Sequence, residues 1–217
     1  MSRSLDLHPS TAGAQPYMRA ERQGPDSSDE PLFASEEGRD RLEKALSRYP
    51  SARAALLPML NYAQERNGWV SGRAMEEIAE ALDVTPAYVH SVVTFYTMYN
   101  RRPVGRFLIQ VCTNISCHLC GGEEVLEAFL EETGVRPGET SGDRLFTVME
   151  VECLGACGFA TVVQVNERYL EDVSPRDVPG IVEQLRREAA ELDDGDGPPP
   201  DDAGAPPAGD DGEGGEG

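Results

Sequence analysis

The sequence predicts an α+β protein: an N-terminal helical bundle followed by a small sheet flanked by helices. Three observations predict it. Apolar residues recur at helical spacing from 36 to 99. From about residue 106 the period shortens to the alternation of strands, broken by two further helical stretches. Polar segments rich in proline or glycine bound these regions at both ends, with four prolines within 1–34 and a run of acids, glycines and prolines after 192. The expected organisation is a disordered segment over 1–34, the bundle over 35–100, the sheet domain over 104–191 and a disordered acidic tail over 192–217.

Each element has its own signal. Leu42, Ala45, Leu46 and Tyr49 form one face of a first helix. A second is expected from about Ser51 to Arg66, with Leu56, Leu57, Leu60 and Ala63 inward and Pro58 kinking it or lying near its first turn. Asn67-Gly68 should end it, since glycine tolerates the left-handed cap. Ser71 can cap a third helix bearing Met75, Ile78, Ala79 and Leu82. Thr85-Pro86 opens a fourth, carrying Val89, Val92, Val93 and Tyr96. In the second half, "RFLIQV" predicts a strand over 107–111. "GGEEVLEAFLEETG" predicts a helix with Val125, Leu126, Phe129 and Leu130 buried and Gly134 as its stop. A strand is expected over 145–151, and two more over 161–172 around a turn at Asn166–Arg168. Ser174-Pro175 opens a last helix, with Val178, Ile181, Val182 and Leu185 inward. The order β-α-β-β-β-α resembles a thioredoxin-like domain.

Composition excludes several functions. The formal charge of −20 repels the phosphates of nucleic acid and of anionic membrane. Residues 75–96 imitate a helix-turn-helix, but 86–99 contain no Lys or Arg to anchor phosphate or read bases. His90 there reads as a surface or helix-end histidine. No apolar run is long enough to span a bilayer. The opening residues lack the apolar centre of a secretory signal, and Asp6 and the weak helical pattern argue against a mitochondrial address. The sequence shows no G-x-G-x-x-G and no other nucleotide loop.

The chemistry lies in five cysteines: Cys112, Cys117, Cys120, Cys153 and Cys157. In a reducing compartment such a cluster more often binds metal or does redox chemistry than staples a fold. Four readings compete. Cys112, Cys117, Cys120 and Cys153 imitate the plant-type ferredoxin spacing. Cys112-x4-Cys117 can instead pair with Cys153-x3-Cys157. Some four thiolates could hold structural zinc. Finally, Cys117-His118-Leu119-Cys120 stands where a redox dithiol would sit, between a strand and a helix. Placement favours the second set. Cys112 and Cys153 each fall at or just past a strand end, and Cys117 and Cys157 lie in the loops that follow. Two pairs of sulfurs presented by neighbouring strands suit a [2Fe–2S] rhomb, with two thiolates for each iron. Gly155 and Gly158 would let the backbone turn closely and aim N–H groups at sulfur.

"CTNISC" and "VECLGACG", with "AQERNGWVS", "IAEALDV", "VVTFYTMY" and "VQVNERYLEDVSP", resemble the small thioredoxin-like [2Fe–2S] subunit of respiratory complex I, the bacterial NADH:quinone oxidoreductase. The resemblance covers roughly 36–190. It implies that Cys112, Cys117, Cys153 and Cys157 bind a [2Fe–2S] cluster. It implies a partner, the flavin- and NADH-binding subunit, other peripheral-arm subunits, and a place at the cytoplasmic face of the bacterial membrane. It also implies an electron-transfer role beside the flavin and no substrate site of the protein's own. Related NAD-linked hydrogenases and formate dehydrogenases carry an equivalent module. The rival from another class is a stand-alone thiol–disulfide oxidoreductase using Cys117 and Cys120. Two departures stand out. Cys120 occupies a position that is usually not cysteine and is expected to be a buried or semi-buried thiol. Thr161 follows Ala160 where the family usually has proline, which puts the rigidity of the loop after Cys157 in question. Arg101, Arg102 and Arg106 are expected as a basic rim or partner contact, with some influence on the cluster. The bundle is expected to be a docking surface for the flavoprotein.

Overall fold

A computed structural model describes residues 31–194. The expectations for residues 1–30 and for the tail beyond 194 lie outside them.

The four predicted helices of the first half form: α1 (Glu36–Arg48), α2 (Leu56–Asn67), α3 (Gly72–Ala81) and α4 (Pro86–Phe95). α3 and α4 begin as the sequence suggests, and α1 begins in the same way at Ser35. The hydroxyls of Ser35, Ser71 and Thr85 accept from the N–H three residues on, satisfying donors that a first turn leaves over. Gly68 closes α2 in the left-handed conformation, with φ of 75°. Residues 52–55 form a 3-10 turn ahead of α2, and Pro58 sits in the first turn of α2, where its missing N–H is harmless.

The inward face of α2 differs from the expected one by a single position. Leu56, Met59, Leu60 and Ala63 are buried, whereas Leu57 is over one-third exposed. Met59 completes the i, i+3, i+4 stripe that Leu57 was expected to fill. Leu46 of α1 is likewise exposed, because that helix packs through a narrow line centred on Ala45. Ile78, Ala79, Leu82, Val89 and Val93 complete the bundle core. The bundle core also takes in a residue that the sequence reading places outside it. Leu32 is buried in this core, its N–H bound to Glu77, and Arg66 donates to the carbonyls of Pro31 and Leu32 at 3.0 Å each.

The second half is a four-stranded sheet in the order β2-β1-β3-β4, made of β1 (Phe107–Cys112), β2 (Phe146–Val151), β3 (Val163–Val165) and β4 (Arg168–Leu170). Between β1 and β2 lie a short helix, α5 (Ile115–Leu119), which the sequence did not suggest, and the predicted helix, α6 (Gly122–Thr133). β1 and β2 are parallel, and the other pairings are antiparallel. Phe107, Ile109 and Val111 alternate into a core shared with Val125 and Phe129 of α6. Val178, Ile181, Val182 and Leu185 of α7 (Val178–Asp194) fill the same core, as expected. α7 starts three residues after Pro175, because the Asp177 carboxylate accepts from both the N–H and the hydroxyl of Ser174 and holds a turn there. Asn166 adopts φ of 53° in the β3–β4 turn. Its side chain accepts from the Leu108 N–H at 2.9 Å and donates to the Arg106 carbonyl at 3.0 Å, fixing the hairpin on β1.

Among the described residues, no helix is long and apolar enough to cross a membrane.

Candidate iron–sulfur site

The register places the first cysteine. Cys112 ends β1 opposite Val151 of β2, on the face turned away from Val111 and its core. α5 returns the backbone so that Cys117 lies beside it, and the two thiols are hydrogen-bonded. Both are buried, at 2% and 1% exposure. With Val162 they form a small apolar cluster of their own, separate from the main core. Cys117 therefore lies within a helical turn, not in open loop. Burial pushes its thiol above the ordinary value, opposed by a hydrogen bond from the Val162 backbone.

The second pair comes from the segment after β2. Cys153 is two residues beyond the strand, and Cys157 opens a 3-10 turn over Cys157–Phe159. Their thiols are hydrogen-bonded to each other, which raises that of Cys157. Both are exposed. Gly155, at φ of 78°, turns the backbone so that its N–H donates to Cys153 Sγ at 3.3 Å, as the glycine spacing suggests. The pairs sense each other electrostatically, Cys157 with both Cys112 and Cys117.

Cys120 joins neither pair. It follows α5 as its C-terminal cap, with its N–H on the carbonyls of Ser116 and Cys117, and is exposed. This corrects the expectation of a buried or semi-buried thiol, and Cys120 precedes α6. Gly121 stands between Cys120 and that helix, and α5 ends with Cys120 exposed. The two halves of the site are also less alike than the sequence suggests, one sealed and one open.

Thr161 is buried, follows a cis peptide after Ala160, and donates its hydroxyl to the carbonyls of Cys120 and Cys117 at 3.2 and 3.4 Å. Its own carbonyl accepts from the Val173 N–H at 3.0 Å. Hydrogen bonds thus fasten the segment where a proline ring would have stiffened it. Neither α5 nor this hydroxyl bridge is visible in the sequence pattern. The five residues of α5 are too few to show a helical period.

Arg106 does not reach the site. Arg106 precedes β1 and donates to the Ala189 carbonyl at 3.0 Å. Cys112 is at the other end of that strand, roughly 20 Å away at about 3.3 Å per residue. That exceeds the screening length of about 8 Å in physiological salt, so Arg106 cannot tune the thiolates appreciably.

A thiolate-bound cluster can be tested against these residues. Among the described residues, no three His, Cys, Asp or Glu side chains gather about one point as a single metal ion requires. Four thiols stand instead as two linked pairs, with N–H donors on Cys117 and Cys153. That arrangement suits two irons with two thiolates each.

This sheet, with paired cysteines after its two parallel strands, defines the protein as a member of the thioredoxin-like [2Fe-2S] ferredoxin family, whose description matches residues 42–186. Within that family, it is 40% identical over 148 residues to an NADH-quinone oxidoreductase subunit of Rhizobium meliloti (strain 1021), spanning 68% of this sequence and 88% of that one. It is 41% identical over 150 residues to NADH-quinone oxidoreductase subunit 2 of Thermus thermophilus, spanning 68% and 83%. An NAD+-reducing [NiFe]-hydrogenase structure shares the fold at a TM-score of 0.55 and 19% identity, over 61% of this sequence and 23% of that one.

Proposed function

We propose that this protein is the electron-transfer subunit of an NADH-oxidising, quinone-reducing complex, with a [2Fe–2S] cluster as its cofactor and no substrate site of its own. The observation that carries the reading is the two-by-two grouping of thiols in a member of this family. Cys112, Cys117, Cys153 and Cys157 are the proposed ligands. When bound, the cluster supplies one-electron transfer. The residues around it hold the thiolates, direct N–H groups at sulfur and leave one side open.

The open side supports the proposed partner. Ile115 and Leu119 of α5 and Phe159 of the turn that Cys157 opens are 67%, 77% and 51% exposed. Such a patch beside exposed donors suits docking against the flavin-bearing subunit. Phe95, Tyr96 and Met98, exposed where α4 ends, offer a separate apolar surface on the bundle. The proposed location follows from assembly with that complex, at the inner face of the bacterial membrane.

The thiol–disulfide reading is disfavoured by burial. Cys117 is sealed and its thiol pushed up, whereas an attacking cysteine needs exposure and a lowered pKa. The hydrogenase likeness shows the fold alone and does not select that parent complex.

The test is the visible spectrum and metal content of anaerobically purified protein. A reddish-brown protein with about two irons is expected. Serine at any of Cys112, Cys117, Cys153 or Cys157 should abolish or alter the spectrum, and Cys120→Ser should leave it unchanged. An iron-free wild type that reduces disulfides would overturn the function, and loss of colour in Cys120→Ser would overturn the ligand set.

A further inference from the structure

The two cysteine pairs come from segments far apart in the sequence, and something must hold them at a fixed spacing. Apolar packing alone does so poorly on the open side, where Cys153, Cys157 and Phe159 are exposed. α5, which carries Cys117, is one short helix with no side-chain cap at its N-terminus. It needs an external fastening.

We propose that Thr161 is a positioning residue for the cluster, its hydroxyl tying the segment of the second cysteine pair to the helix of the first. It lies four residues after Cys157 and is 1% exposed. It reaches the carbonyls of Cys120 and Cys117 across 41 and 44 residues of sequence. The two contacts share one proton, so the hydroxyl serves both carbonyls as a forked donor or alternates between them. The adjoining residue extends the seam: the Val162 carbonyl accepts from the Cys112 N–H at 3.1 Å, and its N–H binds Cys117 sulfur. Residues 161–162 thereby touch both residues of the buried pair, at sulfur or at the backbone, and follow Cys157 closely in the chain. A hydroxyl that merely satisfied itself could have bonded within its own turn. This one spans the two halves of the site.

The inference rests on the proposed cluster, and its test separates the two. Wild type, Thr161→Val, Thr161→Ser and Thr161→Ala are loaded as full-length proteins. Bleaching of the visible absorption by a chelator is timed, and the reduced electron paramagnetic resonance spectrum and midpoint potential are recorded. Valine keeps the shape and removes the hydroxyl. Bleaching about fivefold faster is expected for Thr161→Val, the effect of one ordinary hydrogen bond. A changed resonance spectrum should accompany it, and Thr161→Ser should stay close to wild type. If Thr161→Val does not fold, faster bleaching of Thr161→Ala with rescue by serine carries the same conclusion. Wild-type behaviour of the hydroxyl-free variant, or equal loss with serine, would overturn the positioning role while leaving the cluster reading intact. A wild type that takes up no iron would overturn both.

Discussion

Gly122 is where a single methyl group should cost the site most. It opens α6 directly beneath the two buried cysteines. A methyl there would lie 2.9 Å from the carbonyl oxygens of both Cys112 and Cys117 and 3.0 Å from the Cys117 carbonyl carbon. These are backbone atoms on two elements and cannot rotate aside. Relief requires α6 to retreat or both cysteines to shift. Overpacking of this kind costs about 1–3 kcal/mol. Against it stands the better helix propensity of alanine, up to about 1 kcal/mol and less in a first turn. The net expectation for Gly122→Ala is a loss of roughly 1–2 kcal/mol, or about 2–8 °C in melting temperature for a domain of this size. Gly180→Ala provides the control. It lies in the first turn of α7, with no atom within 4 Å of the added methyl. The same substitution should there be neutral or stabilising by up to about 1 kcal/mol. The assay is thermal unfolding of the iron-free proteins by circular dichroism, followed by iron content after reconstitution. Gly122→Ala should melt lower and bind less iron. A variant as stable and as fully loaded as wild type would refute the claim that close backbone approach fixes glycine there.

Other outcomes follow from the same geometry. Phe129, fully buried against β1 and α7, should cost about 3–5 kcal/mol when replaced by alanine, read by denaturant unfolding of the iron-free protein. Asp143 has its carboxyl held below its ordinary 3.8, first by the Ser141 hydroxyl and then by the Leu145 N–H. A lowered folded pKa means its contribution is present above about pH 4 and lost as pH falls through the folded value. Asp143→Asn should therefore cost under about 1 kcal/mol at pH 7, the group being largely solvated, with the difference from wild type shrinking below pH 4. A gap that widens on acidification would contradict this sign.

What the sequence made legible divides along physical lines. Helices with capping side chains and long apolar stripes were readable, because those signals are local: Ser71, Thr85-Pro86 and Gly68 each act where they stand. The strands were readable by alternation, and Cys112 fell at its strand end as expected. The phase of α2 was not, since Leu57 and Met59 are equally apolar and only the neighbouring helices decide which turns inward. α5 was invisible for want of length. Leu32 was hidden by its polar surroundings, although Arg66 and Glu77 bind the backbone on either side of it. The grouping of the cysteines in pairs could be argued from strand ends. The burial of one pair and exposure of the other depends on how α5 folds back, which no spacing rule contains.

That asymmetry gives the proposed site a direction. Cys112 and Cys117 are sealed by Val162 and by the close approach of α6 at Gly122, so thiolates there depend on internal N–H donors. Cys153 and Cys157 meet solvent, and Phe159, two residues beyond Cys157, is exposed as well. Water there would screen and solvate an added electron. An apolar partner surface covering the pair would remove the water and strengthen the influence of every nearby dipole. The exposed pair is therefore where docking can alter the reduction potential, and the buried pair is where the protein sets it alone. Removing apolar area at Phe159 should weaken assembly with the proposed flavoprotein partner while sparing cluster retention in the isolated protein. Disturbing Gly122 should do the reverse.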